Sequence, residues 1–381
     1  MPIRQRVVTY GISTAAAAAI TVAALLQPWR AASSSGPTVQ PPRAAPAAPA
    51  QPIDLVFAVD TTGSMGGLLE GAKRTVWSIA THIRQTEPNA ALRIGLVAYR
   101  DVGDVYVTRD FALTGDLDAV FAELASYQAA GGGDTPEDVA AALDDTLHKM
   151  QWRDGAKQLV FLVGDAPPAS RGDVPTFDVL AREAGQRHIV LNTIRCGDDP
   201  STQLAWQEIA ALGHGEFSTI RQDGGVQQIA TPYDAKLGEL SAAIDRTAVI
   251  VGDDADRAGY DRNLAVNNGA PAVAQAARAA YYSMNKLGAG TVANDLVAGV
   301  EAGTMAIEAL PAASLPADLR GLAKPALKAE IAQRAERRKA AQRELAQLAQ
   351  ERDVYLKANT RNAADAFDTQ VNAALDRQLK R

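Results

Sequence analysis

Two runs of this sequence are apolar almost throughout and end at an aspartate: IDLVFAVD at residues 53–60 and KQLVFLVGD at residues 157–165. Strands that are apolar on both faces are typical of a parallel sheet that helices cover on each side. Further apolar runs alternate with helical patterns from residue 52 to residue 247. We therefore predict an α/β fold with a Rossmann-like, doubly wound and mostly parallel sheet.

One pair of apolar runs departs from this alternation. Residues 92–101 and 105–111 are separated only by Val102, Gly103 and Asp104. A connection this short joins antiparallel strands, because a parallel pair needs a long crossover. We therefore expect one antiparallel strand at the edge of the sheet.

Composition divides the chain into five parts. Residues 1–30 begin with two arginines, Arg4 and Arg6, followed by an uncharged, mostly apolar stretch at 7–26, which is typical of a signal peptide or a membrane anchor. Residues 31–51 are rich in Ala, Pro and Ser and predict a flexible linker. The remaining parts are the α/β domain at 52–247, an Ala/Gly-rich region with short helices at 248–323, and a charged, hairpin or coiled-coil-like helical region at 324–381.

The N-terminal segment also predicts the compartment. Positive charge before an apolar stretch directs the following chain across a membrane, so we expect the folded part in the periplasm or outside the cell. Cleavage of the segment and its retention as an inner-membrane anchor both stay open, and membrane contact is expected only through this segment if it is uncleaved. The single cysteine, Cys196, excludes an intrachain disulfide and a Cys-based zinc site.

The charge balance narrows the class of partner. The chain carries 38 Lys and Arg against 44 Asp and Glu, a formal net charge of −6. Nucleic-acid binding depends on a clustered excess of basic side chains, so we expect no nucleic-acid partner. A metal, a small molecule or a protein fits this composition better.

Polar side chains follow the first apolar run at alternate positions. The stretch DTTGS contains Asp60, Thr62 and Ser64, and a turn between a strand and a helix can aim such side chains into one cavity. Carboxylate and hydroxyl oxygens suit hard cations, so the motif indicates Mg²⁺, with Mn²⁺ or Ca²⁺ as alternatives. A polar turn that only caps a helix could use the same residues, so the motif alone leaves both interpretations open.

Two further segments distinguish these interpretations. Thr135 lies in GGGDTPED before a predicted helix, and Asp165 lies in FLVGDAPP after a buried strand. With them, the sequence resembles a von Willebrand factor type A (VWA) domain of the bacterial extracytoplasmic type. The metal-ion-dependent adhesion site (MIDAS) of that family has the form D-x-[ST]-x-S and is completed by a Thr and an Asp from two other loops. The resemblance covers residues 52–247 and departs only at Thr62, where Ser is commoner.

The resemblance implies a role for each of these residues. Thr62 and Ser64 would bind the metal through their hydroxyl groups, Thr135 directly or through water, and Asp60 and Asp165 through water or directly. Such a site keeps an exchangeable position, which an Asp or Glu of a protein partner can fill. The resemblance therefore implies metal-dependent protein binding in adhesion or assembly, without catalysis.

Three acidic residues near the motif could contact the metal ligands without binding the metal themselves: Asp134, Glu137 and Asp101. Acids in the first turn of a helix account better for Asp134 and Glu137, and a structural salt bridge accounts better for Asp101. The sequence also predicts that Thr135 is the N-cap of a helix from Pro136 to Met150.

Two other functions stay open at this stage. Ser64 at a strand-to-helix turn, followed by Asp165 and then His188 or His214, has the order of a serine hydrolase triad, although Thr62 replaces the glycine of a nucleophile elbow. Alternatively, the chain is a scaffold that binds a partner through the helices of residues 324–381.

Overall fold

The computed structural model describes residues 51–133, 135–169, 171–284, 294–359 and 364–380. The strands in this part of the chain are β1 (Pro52–Asp60), β2 (Ala91–Tyr99), β3 (Thr108–Thr114), β4 (Lys157–Gly164), β5 (Val190–Cys196) and β6 (His214–Ile220). They form one sheet in the order β3-β2-β1-β4-β5-β6. β3 pairs antiparallel with β2, and the other described pairings are parallel. The predicted α/β fold with one antiparallel edge strand is confirmed.

The first six α-helices alternate with or follow these strands: α1 (Gly66–Thr86), α2 (Leu117–Ser126), α3 (Val139–His148), α4 (Phe177–Gln186), α5 (Pro200–Leu212) and α6 (Asp234–Asp245). The described chain beyond them is also helical: α7 (Asp254–Gly269), α8 (Ala272–Ser283), α9 (Leu296–Glu301), α10 (Lys324–Asn359) and α11 (Phe367–Leu379). None of these helices combines the length and the apolar character that crossing a membrane requires. The apolar stretch at 7–26 lies outside the described residues.

Helices cover both faces of the sheet, so the strands are buried from both sides. Leu55 and Phe57 of β1 pack in one core with α1, α2 and α11, whereas Val56 and Ala58 pack in the other with α3, α4 and α5. Neighbouring side chains alternate between the two cores because a strand has a period of two. This double burial accounts for the continuous apolar runs in the sequence.

Helix α11, the last described helix, completes the helical layer over one face of the sheet. Phe367 and Leu375 of α11 are 2% and 0% exposed. The ring of Phe367 lies 6.1 Å from that of Phe57 in β1, measured between centroids. The positions that the sequence spaces at helical intervals in this segment are the buried ones: Phe367, Val371, Leu375 and Leu379.

Helices α6, α8 and α10 pack together beyond this layer, and buried ion pairs connect them to it and to one another. Arg278 of α8 donates to Asp118 of α2 at 2.6 Å and to Asp245 of α6 at 2.8 Å, and its side chain is 2% exposed. Arg352 of α10 is also buried, and it pairs with Asp234 of α6 at 2.8 Å. Removing one partner of such a pair typically costs about 3–5 kcal/mol.

The two helices at 324–381 therefore belong to different layers. α10 packs along α6, α8 and α9, whereas α11 packs on α1 and β6. This arrangement is neither the solvated charged hairpin nor the coiled coil that the sequence predicts. The difference arises because some charged residues of α10 are buried and paired rather than facing water.

Candidate metal centre

The sheet order brings two of the predicted loops to one edge. β1 and β4 are parallel neighbours, and Asp60 is the last residue of β1 while Asp165 directly follows β4. The carboxyl ends of neighbouring parallel strands open at the same edge of the sheet, where ligands of this fold class bind. Burial raises the pKa of Asp60, and the neighbouring carboxylate of Asp165 raises it further.

The DTTGS turn is held together by its own side chains. Asp60 Oδ1 accepts hydrogen bonds from the backbone N–H of Thr62 at 2.8 Å and from its hydroxyl at 2.7 Å. The hydroxyls of Thr62 and Ser64 lie 3.3 Å apart. Asp60 and Thr62 are buried, whereas Ser64 is exposed. One carboxylate and two hydroxyl groups therefore converge, and the cluster opens to solvent at Ser64.

The glycine-rich segment before Thr135 lies against this turn. The backbone N–H of Gly63 donates to the carbonyl of Gly131 at 3.2 Å. Gly132 has φ +71°, and a Cβ at this residue would lie 2.7 Å from the Cβ of Thr62, so only glycine allows this approach. Thr135 is exposed on the same segment, and Asp134 lies outside the described residues.

Thr135 is not a helix cap, contrary to the sequence prediction. α3 begins at Val139, and its N-cap is Asp138, whose side chain accepts from the backbone N–H of Ala141 at 3.0 Å. The backbone of Glu137 instead pairs with the segment after β4, donating to the carbonyl of Pro167 at 3.1 Å and accepting from Ala169 N–H at 2.7 Å. This long-range pairing holds residues 135–137 outside the helix, which local sequence patterns do not reveal.

Asp165 is half-buried and is fixed from two sides. The hydroxyl of Thr202 in α5 donates to its backbone carbonyl at 3.0 Å. The side-chain amide of Gln222 donates to its carboxylate Oδ2 at 2.6 Å. The predicted site does not include Gln222, although its place two residues after the end of β6 puts it at the same sheet edge.

The centre holds carboxylates that burial disfavours in their charged form. Burial, with a contribution from Asp165, raises the pKa of Asp60 to about 7. Within the described residues, Asp60 Oδ2 is buried and has no hydrogen-bond partner. A buried charge without a partner is unfavourable, so this oxygen fits a site completed by a cation.

The donor set also limits the kind of cation. Among the described residues, no group of three or more His, Cys, Asp and Glu is placed to hold a metal ion. The oxygens that converge at this centre are those of the Asp60 carboxylate and of the Thr62 and Ser64 hydroxyl groups. Mg²⁺ suits such a site, because it prefers oxygen ligands and keeps several of its waters.

Two of the acidic neighbours have distinct surroundings. Glu137 is 3% exposed, its Oε2 lacks a hydrogen-bond partner among the described residues, and burial together with the charge of Asp60 raises its pKa to about 8. Asp101 is also buried and is paired with Arg171, whose Nε donates to its Oδ1 at 2.8 Å. Asp101 thus has the structural salt bridge that its sequence context suggested, whereas Glu137 lies beside the centre with no salt bridge to any described residue.

The residues of the proposed hydrolase triad are not brought together. Ser64 follows the carboxyl end of β1, whereas His214 is the first residue of β6 and His188 precedes β5. These strands are parallel, so both histidines lie near the opposite edge of the sheet. The seven residues of β6 put that edge roughly 20 Å away, so neither histidine can activate Ser64.

Comparison with known proteins is consistent with this architecture. Residues 54–231 match the family model described as von Willebrand factor A domain. An ariadne-like RING finger protein of Acanthamoeba polyphaga mimivirus is 30% identical over 131 residues, which are 34% of this chain and 12% of that protein. The von Willebrand factor A domain-containing protein 7 of Rattus norvegicus is 33% identical over 166 residues, 43% of this chain and 17% of that protein.

A solved structure is also similar over part of the chain. BatB from Bacteroides thetaiotaomicron is 15% identical with a TM-score of 0.35, over 44% of this chain and 90% of that one. The chain spans less than a fifth of the length of the two curated relatives described above. The matched segment contains the six strands of the described sheet except for the first two residues of β1. Residues 54–231 of this chain therefore form a domain of the von Willebrand factor A family.

Proposed function

We propose that this chain binds a divalent cation at Asp60, Thr62, Ser64, Thr135 and Asp165, and through it a carboxylate of a protein partner. The observation that carries the proposal is the buried Oδ2 of Asp60, which has no hydrogen-bond partner among the described residues and lies beside two converging hydroxyl groups. An oxygen in this position gains most from a positive charge, and nearby hydroxyls supply further hard ligands.

The family context supports this proposal in general terms. VWA domains are commonly metal-dependent adhesion or protein-interaction modules, and they bind a divalent metal at the MIDAS. For this chain we propose Mg²⁺, with Mn²⁺ and Ca²⁺ as alternatives, because the set of carboxylate and hydroxyl oxygens selects hard cations. The bound cation would supply the positive charge that attracts an Asp or Glu of the partner.

Exposure at the rim favours a partner over a buried small molecule. Ser64 and Thr135 are exposed, whereas Asp60 and Thr62 are buried beneath them. A cation held at this level would be reached from solvent by a side chain of another protein. Two apolar side chains on the neighbouring β2–β3 turn are also exposed, Val102 at 54% and Val105 at 92%, and could contact such a partner.

The first experiment tests the metal. Isothermal titration of the metal-free protein with MgCl₂, MnCl₂ and CaCl₂ should show binding to one site, with affinity reduced in Ser64→Ala. Ser78→Ala, on α1 and away from the sheet edge, is the matched control and should bind as the wild type does. Absence of binding of all three cations to the wild type would refute the proposal.

The second experiment tests the partner. Immobilised protein is incubated with a cell-envelope extract of the source organism, with Mg²⁺ or with EDTA, and Asp60→Ala serves as the control. We expect a partner that is retained with Mg²⁺ and released by EDTA, and whose own Asp or Glu variant fails to bind. If the partner is retained equally with Mg²⁺ and with EDTA, its binding does not depend on the metal, and this part of the proposal is refuted.

We further propose an extracytoplasmic location for the folded part. The support is the order of two arginines and an apolar stretch at 7–26, followed by an Ala/Pro/Ser-rich segment. A fusion of residues 1–51 to alkaline phosphatase, an enzyme active only after export, should be active in a bacterial host. Loss of this activity when residues 7–26 are deleted would be expected, and an inactive full fusion would contradict the proposal.

A further inference from the structure

Gln222 reaches the metal centre from a loop that the family motif does not include. Its side-chain Nε2 donates to Asp165 Oδ2 at 2.6 Å and lies 3.3 Å from the backbone carbonyl of Ser64. One amide group thus connects the loop after β4 to the turn after β1. These are two of the three loops assigned to the metal centre.

A hydrogen bond to a carboxylate is stronger than one between neutral groups, because the acceptor is charged. Gln222 is exposed, so its side chain would be free to sample water if this bond were weak. A bond to Oδ2 leaves Asp165 Oδ1 available for a cation or for a metal-bound water. The contact therefore orients the carboxylate without closing the site.

The backbone around Gln222 is fixed as well. Gly224 N–H donates to the carbonyl of Arg221 at 2.9 Å, which makes Gln222 a central residue of a four-residue turn. The turn is bound on its far side to the C-terminal segment, because Phe367 N–H donates to the carbonyl of Gly224 at 2.9 Å. On the near side it touches α1, where a Cβ on Gly67 would lie 2.9 Å from Asp223 Cα.

We propose that Gln222 is a positioning residue of the metal centre, which holds Asp165 in the orientation that binds the cation. This inference rests on the proposed function, since it concerns the same cation. Groups that hydrogen-bond a metal's ligands fix the orientation of those ligands, and their loss typically weakens metal binding about 10–100-fold. The turn's attachment to α11 and α1 fixes where the amide lies.

The test is isothermal titration of the metal-free, full-length protein with MgCl₂. Gln222→Met keeps a side chain of similar length and removes the amide, so we expect the Kd for Mg²⁺ to rise about tenfold or more. Gln207→Met, at an exposed position of α5, is the matched control and should leave the Kd unchanged. Thermal melting in EDTA should be the same for wild type and Gln222→Met, which a merely structural role would not predict.

A second variant pair displaces the turn without altering Gln222. Gly67→Ala adds a Cβ against the backbone of Asp223, whereas Gly66→Ala meets its nearest neighbour at an ordinary 3.6 Å. We expect weaker Mg²⁺ binding in Gly67→Ala and wild-type binding in Gly66→Ala. A Kd in Gln222→Met within threefold of the wild type, or below it, overturns the inference and leaves the proposed function standing. A wild-type protein that binds no Mg²⁺ overturns both.

Discussion

Replacing Phe367 by alanine tests whether the C-terminal helix is part of the core of the VWA domain. The side chain is 2% exposed and packs on Phe57 of β1, in the same core as α1 and α2. We expect the substitution to destabilise the sheet domain itself, and not only the last helix.

The magnitude follows from the burial. Truncating a buried Phe to Ala typically costs about 3–5 kcal/mol, as lost transfer energy plus a cavity. The net free energy of unfolding of a domain is about 5–15 kcal/mol, so this single change should remove a large part of it. Burying Phe367, Val371 and Leu375 stabilises by roughly 5–9 kcal/mol as an upper estimate, at about 1.5–3 kcal/mol each. Deleting α11 should therefore leave residues 51–359 unable to fold stably.

The assay is urea denaturation of the full-length protein, followed by circular dichroism and by tryptophan fluorescence. Val354→Ala is the matched control, because Val354 is an apolar residue of α10 that is 68% exposed. Its effect should stay within about 0.5 kcal/mol. A loss below about 1 kcal/mol in Phe367→Ala, or a residue 51–359 protein with wild-type stability, would refute the assignment of α11 to the domain core.

Three further predictions concern the metal centre. Asp60→Asn should stabilise the metal-free protein at pH 8, because it removes a buried charge, and should abolish the rise in Tm that Mg²⁺ causes; a Tm that still rises would contradict this. Burial raises the pKa of Asp60 to about 7 and that of Glu137 to about 8, whereas both pKa values are about 4 in the unfolded chain. The two carboxyl groups therefore stabilise the folded state less as pH rises from about 4 to 8. Thermal melts should then show a larger Mg²⁺-induced rise in Tm at pH 8 than at pH 6, and equal rises would contradict this prediction. Gly132→Ala should weaken Mg²⁺ binding in titration calorimetry because its Cβ would press on Thr62, whereas Gly133→Ala, whose Cβ would meet no atom of the described residues within 4 Å apart from its chain neighbours, should not; equal affinities would refute the reasoning.

The sheet could be predicted from the sequence because its signals are local. The central strands β1 and β4 are nearly continuous apolar runs, and the short connection after residue 101 is enough to indicate a hairpin. The DTTGS motif and Asp165 could also be placed, since both follow runs that had to be parallel strands. The rule that carboxyl ends of such strands meet at one edge then brought them together.

Features that depend on distant contacts could not be predicted in this way. Thr135 has the local pattern of a helix cap, but pairing of Glu137 with the segment after β4 moves the start of α3 to Val139. Arg352 has the pattern of a solvated helix face, but Asp234 pairs with it in the interior. Gln222 carries no motif, and only the folded chain puts its amide beside Asp165.

Helix α11 lies late in the chain but belongs to the core of the sheet, and this has a consequence for biosynthesis. Until residues 367–379 have left the ribosome, one side of the finished sheet lacks its last cover, with Phe57 open to solvent or to other chains. Such an intermediate is prone to aggregation and is a substrate for chaperones. Under the extracytoplasmic location proposed above, this delay would keep the domain from reaching its final state before the whole chain is available for translocation.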